Sequence, residues 1–156
     1  QAKDDPVRYV HHEIGYNYRL TNIQAALGVA QLEQLSGFLK RKKDIHQEYV
    51  ETVETIEGLT MARVPDYAKN NHWMNLLQID KKIYGEDREA LMKRLDEYGI
   101  QTRPLWGLNH LQKPYRKCQS YKIEKAFKLV NNSLCLPSSS NLSADAIQKV
   151  IDILNG

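Results

Sequence analysis

The chain has 156 residues, about one ordinary domain, with 42% hydrophobic residues and a formal net charge of +3. That supplies a core, but no uninterrupted apolar run approaches the ~20 residues of a membrane-spanning helix, and the small charge gives no case for a nucleic-acid partner. Cys118 and Cys135 are the only two cysteines; without CxxC or metal-ligand spacing they read as reduced structural thiols of a cytoplasmic protein.

Residues 1–14 are polar and interrupted by Pro6, and the neighbouring His11 and His12 read as a solvated or interface pair, since adjacent side chains on an extended segment diverge. Gly15 then permits an unusual turn before Tyr16, Asn17, Tyr18 and Arg19, whose amide, phenols and guanidinium can hold an anion or simply cover a helix as a capped surface loop. Thr21 and Gln24 have capping-box spacing, and Ile23, Ala26, Leu27 and Ala30 follow with helical period. This predicts a helix from Thr21 to about Gly37. A second helix, or a bent continuation, carries Ile45, Tyr49, Val53 and Ile56 and stops at Gly58. Between them, the run Lys40 to Lys43 is broken by Asp44 and Glu48 and reads as a solvated face.

Beyond Gly58 the pattern turns to β. Leu59 to Val64 ends at Pro65, and His72 to Asp80 reads as a strand in which Trp73, Leu77 and Ile79 share a face. Asp87 to Tyr98 is an amphipathic helix with Leu91 and Leu95 inward, stopped by Gly99, and Ile100 to Leu105 is a third strand. A loop follows, then a helix over 122–130 with Ile123, Ala126, Phe127 and Val130 buried. Leu134 to Pro137 reads as an edge strand because proline cannot donate to a ladder. Ser143 opens a last helix with Ile147, Val150, Ile151 and Leu154 inward. The sum is an α+β fold, a small antiparallel or mixed sheet with helices packed on one face. There is no nucleophile elbow, no HExxH and no GxxxxGK loop, so hydrolase and nucleotidase chemistry lack support.

The run GYNYRLTNIQAALGVAQLEQL resembles a segment of the DegT/DnrJ/EryC1/StrS family of pyridoxal-phosphate-dependent aminotransferases. The likeness extends through the basic helix with Tyr49, the strand with His72-Trp73, IQTRPLWGLNHLQKPY and LCLPSSSNLS. The resemblance implies the C-terminal part of a fold-type I enzyme: 1–20 a remnant of the large domain and active-site loop, 21–57 connecting helices, 58–156 the small domain. It implies a homodimer with the active site at the subunit interface, where glutamate supplies an amino group to pyridoxal 5'-phosphate and the aminated cofactor passes it to a keto-sugar nucleotide. The RPLW variant most resembles enzymes that aminate C4 of a UDP-linked N-acetylated sugar. The Schiff-base lysine is expected outside this chain, which alone should be inactive. Asn17 takes the place of an asparagine that reaches the cofactor phosphate of the other subunit. Arg19 pairs with that phosphate or with an interface carboxylate. His12 lies on a segment that approaches the active site. Arg103, Trp106, His110 and Tyr115 suit a diphosphate, a sugar or base face, and hydroxyls; the plain alternative puts Trp106 in the core and Arg103 on a solvent face. The competing function is a non-catalytic regulatory module with the same small-domain fold.

Overall fold

The computed structural model of the protein describes residues 13–156, so the His11–His12 pair lies outside the described residues. These residues divide into two compact units, one ending at Ser36 and the other Gly37–Gly156. In the first, residues 14–20 have no regular structure and lead into helix α1, Asn22–Val53. The expected capping box is formed: the Thr21 amide donates to Gln24 Oε1 at 2.9 Å, and the Gln24 amide to Thr21 Oγ1 at 3.4 Å. Two helix-end donors are thereby satisfied. The apolar stripe that follows is real in its spacing and uncovered in this unit, with Ile23, Leu27 and Leu32 all exposed. Gly37 does not interrupt the helix, which continues to Val53 and gives out five residues before Gly58.

In the second unit the four-spaced Ile45, Tyr49 and Val53 of α1 are fully buried. Strands β1 (Leu59–Met61), β2 (Asn75–Ile79), β3 (Arg103–Pro104) and β4 (Ser133–Leu136) form one sheet in the order β1-β2-β4-β3 with every pair antiparallel. The register aligns Leu59 with Ile79, Met61 with Leu77, and Leu77 with Leu134, so these apolar side chains share one face. That face joins one core with Ile45, Tyr49 and Val53, with Leu91 and Leu95 of α3 (Arg88–Glu97), and with Ile147, Val150, Ile151 and Leu154 of α5 (Ala144–Asn155). Burying each such aliphatic chain stabilises the fold by about 1.5–3 kcal/mol before conformational entropy is set against it. The caps of α3 and α5 are local: Asp87 accepts from the Ala90 amide and Ser143 from the Ala146 amide, at 3.0 and 3.1 Å.

Four expectations are corrected. β4 is a central strand, buried at all four positions, because Pro137 sits one residue beyond the last paired position and removes no ladder bond. The third strand shrinks from Ile100–Leu105 to Arg103–Pro104. Helix α4 (Glu124–Asn132) has the expected apolar spacing but buries none of it, and Phe127 stays 37% exposed. α4 lies against the sheet face opposite the core, where Gln78 and Ser133 pair across the strands, so it needs less apolar cover. Finally, the basic run is only partly solvated: Arg41 Nη2 donates to the Leu142 carbonyl at 2.7 Å and Lys42 Nζ to the Ser138 carbonyl at 2.6 Å. These charged donors tie the loop between β4 and α5 to α1.

Candidate functional site

In the first unit the structure brings two predicted residues together. Asn17 Oδ1 accepts from the Arg19 amide at 3.2 Å and from Arg19 Nε at 3.3 Å, an Asx turn reinforced by a guanidinium. Tyr16 and Tyr18 stack beside it with ring centroids 5.7 Å apart, and both are exposed. With its carbonyl oxygen committed to Arg19, the Asn17 amide is left with its NH2 as the group free to donate. The Arg19 Nη atoms add charge beside it. An exposed loop with this donor set fits a phosphate.

In the second unit the four other predicted residues follow one another closely in the chain, yet none bonds to or stacks on another of the four. Arg103 stands on edge strand β3, exposed, its Nη1 donating to the Thr102 carbonyl at 3.2 Å. Trp106 lies just past that strand, 61% exposed, so it is not a core residue. His110 opens from a 3₁₀ turn, Asn109–Leu111, edge-on to Phe127 at 5.4 Å, with its Nε2 buried and unpartnered. Tyr115 ends a second 3₁₀ turn, Lys113–Tyr115, and is half exposed.

Trp106 finds its partner elsewhere, in Trp73, at 5.6 Å between ring centroids. Trp73 is not on the strand face it was expected to share with Leu77. Asn70 Oδ1 accepts from the His72 amide and Asn71 Oδ1 from the Trp73 amide, both at 3.0 Å, and His72 has φ +48°. Two consecutive Asx turns thus delay the start of β2 to Asn75 and leave Trp73 63% exposed. Ser138 Oγ donates to the Trp73 carbonyl at 2.8 Å, and Lys42 donates to the Ser138 carbonyl, which fixes the tryptophan from behind. The paired indoles make an apolar wall suited to a sugar face or a base.

His72 and Asn75, close to Trp73 in the chain, belong to a cluster that the sequence alone did not reveal. His46 Nδ1 lies 2.9 Å from Asn75 Oδ1, an acceptor, which assigns the His46 proton to Nδ1. The His46 and His72 rings lie 4.2 Å apart. Asn75 is buried, and its Nδ2 and His72 Nδ1 have no partner. Burial, then the neighbouring His46 and Lys43, hold the His72 imidazole below its usual pKa, so His72 is neutral near pH 7. A cavity of about 390 Å³ opens beside His46, bounded by Arg63, Lys69 and Asn70. The only sequence signal for this cluster was polar residues interrupting apolar patterns, as Asn75 does in β2.

A model of the DegT/DnrJ/EryC1/StrS aminotransferase family matches residues 1–155. EpsN of Bacillus subtilis, which carries the name of a pyridoxal phosphate-dependent aminotransferase, is 34% identical over 160 residues, 99% of this chain and 40% of EpsN. A GDP-perosamine synthase of Escherichia coli O157:H7 is 33% identical over 149 residues, 95% of this chain and 39% of that protein. The crystal structure of a DegT DnrJ EryC1 StrS aminotransferase from Brucella abortus shares the fold with a TM-score of 0.78 at 22% identity, covering 99% of this chain and 40% of that one. The chain thus spans about 40% of the length of the curated relatives it matches.

Proposed function

Because the chain belongs to the DegT/DnrJ/EryC1/StrS aminotransferase family, we propose that it forms part of a homodimeric, cytoplasmic enzyme that moves an amino group from glutamate to a nucleotide-linked keto-sugar. The substrate proposed is a UDP-linked 4-keto-6-deoxy N-acetylated sugar. A relative named GDP-perosamine synthase supports a nucleotide-linked sugar and makes a GDP-linked one the natural comparison substrate. The observation that carries the reading is the Asn17–Arg19 arrangement, which leaves an amide NH2 and a guanidinium edge exposed on one short loop.

Asn17 and Arg19 would hold the phosphate of pyridoxal 5'-phosphate, with Asn17 serving the site of the neighbouring subunit. The cofactor, when bound, supplies the carbanion chemistry of the transfer. This chain's own residues bind and orient. Arg103 meets the diphosphate with charged donors, the Trp106–Trp73 wall stacks on the sugar or base, and His110 Nε2 and the Tyr115 hydroxyl bond to ring hydroxyls. The Schiff-base lysine is supplied from outside these 156 residues, so the isolated chain has no transaminase activity.

The test is kinetic, on the enzyme that contains this chain. Arg103→Ala and Trp106→Ala should each raise the KM for the sugar nucleotide about tenfold or more while leaving the glutamate half-reaction nearly unchanged. Equal losses in both half-reactions, with a lower melting temperature, would show that the two residues hold the fold instead.

A further inference from the structure

The sheet face opposite the core carries a cavity of about 970 Å³ that has no part in the reading above. It lies at the Ile79 end of β2, away from Trp73 and Asn75. Four lysines line it: Lys81 and Lys82 of α2 (Lys81–Tyr84), and Lys125 and Lys128 of α4. Asp80 is the one carboxylate in the lining, and its oxygen already caps the Lys82 amide at 3.0 Å. Lys81 reaches Asp87 at 2.8 Å, whereas Lys82, Lys125 and Lys128 have no carboxylate partner among the described residues. Three lysines without a carboxylate partner around one concavity are electrostatically unfavourable unless an anion is present.

A second observation is independent of the lysines. Ser133 also lines the cavity, is completely buried, and its Oγ has no hydrogen-bond partner. A buried hydroxyl left unmet is costly, and an oxygen in the cavity is what would satisfy it. Leu129 and Ile83 give the wall an apolar side, and the volume is far larger than one phosphate and within the range of small-molecule sites. We propose that this cavity binds the phosphate or diphosphate group of a small organic ester, with Ser133 as hydrogen-bond donor and Lys82, Lys125 and Lys128 as counter-charges.

Calorimetric titration of the 156-residue chain with inorganic pyrophosphate and with ADP, at constant ionic strength, tests this. Pyrophosphate should bind saturably, and ADP more tightly because the apolar side receives its organic part. Lys125→Ala with Lys128→Ala should weaken both by about tenfold or more, whereas Lys93→Ala with Lys113→Ala, on the surface elsewhere, should leave them unchanged. Ser133→Ala should weaken pyrophosphate about three- to tenfold while leaving the melting temperature equal or higher, since it removes an unsatisfied hydroxyl. Circular dichroism confirms that each variant is folded. No saturable binding, an equal effect of the two lysine pairs, or full affinity in a folded Ser133→Ala overturns the site. Equal affinity for pyrophosphate and ADP overturns the organic ester.

Discussion

Asn17 has one amide to divide between its own loop and an outside partner, and the loop takes the oxygen through Arg19. Asn17→Ala in the whole enzyme therefore removes both the turn and a donor. The loss should be about 1.5–3 kcal/mol, roughly ten- to a hundredfold in cofactor affinity, read as cofactor lost on gel filtration. Wild-type retention would sink the phosphate role. If the contact crosses subunits, mixing Asn17→Ala chains with chains lacking the Schiff-base lysine should restore activity, because one intact site is rebuilt in each mixed dimer. His72 gives a pH prediction. Its folded pKa is depressed below the ordinary value near 6.5, so the unfolded chain takes up the proton first. The contribution of neutral His72 is complete above about pH 6.5 and is lost as pH falls from there through the folded value. By NMR its titration midpoint should lie below 6.5, and Lys43→Met should raise it by removing a like charge. His72→Asn, which tolerates the positive φ, should flatten the fall in melting temperature between pH 7.5 and 5.5.

Elements whose ends and faces are set by nearby residues were legible in the sequence. The Thr21–Gln24 box, the Asp87 and Ser143 caps, and the stripes of Leu91 and Leu95 and of Ile147 to Leu154 all depend on spacings of three or four. What was not legible depends on distant partners. Whether Ser133–Leu136 is edge or centre is decided by β2 on one side and β3 on the other, and Pro137 gave a signal that applied only beyond the ladder. Of the candidate site, only the proximity of Asn17 and Arg19 was legible, because the two stand two positions apart in the chain. The Trp73–Trp106 wall and the His46–Asn75–His72 cluster were not, since they join segments some 30 residues apart. The turn at Gly58 shows how tightly one element can depend on a residue far along the chain. Its φ is +83°, and a Cβ there would sit 2.5 Å from the Tyr84 amide nitrogen. Gly58→Ala should cost at least about 2 kcal/mol, from the left-handed backbone together with the clash, measurable by urea unfolding. A change within 0.5 kcal/mol would mean that α2 moves aside freely.

On the scale of the whole molecule, the exposed apolar side chains of residues 14–35 ask for a partner. Ile14, Leu20, Ile23, Leu27 and Leu32 all stand more than 60% exposed, more apolar surface than a solitary helix normally presents to water. The expected outcome is concentration-dependent self-association in sedimentation velocity, abolished by Leu27→Lys with Leu32→Lys; a strictly monomeric species at high concentration would contradict it. The order β1-β2-β4-β3 has its own consequence, for the timing of synthesis. As the chain leaves the ribosome, β1 and β2 can meet almost at once, but β2 then waits for a strand separated from it by 53 residues. Closing that interval costs about 3.5 kcal/mol of chain entropy beyond a constant, and nothing repays it until Leu134 and Leu136 reach the core and α5 covers them. Until then one edge of β2 is bare, and a nascent chain stalled before Ser133 offers that edge to any neighbour on the same messenger. Strand β4 and helix α5 therefore act as a seal: their arrival closes the bare edge of an aggregation-prone intermediate.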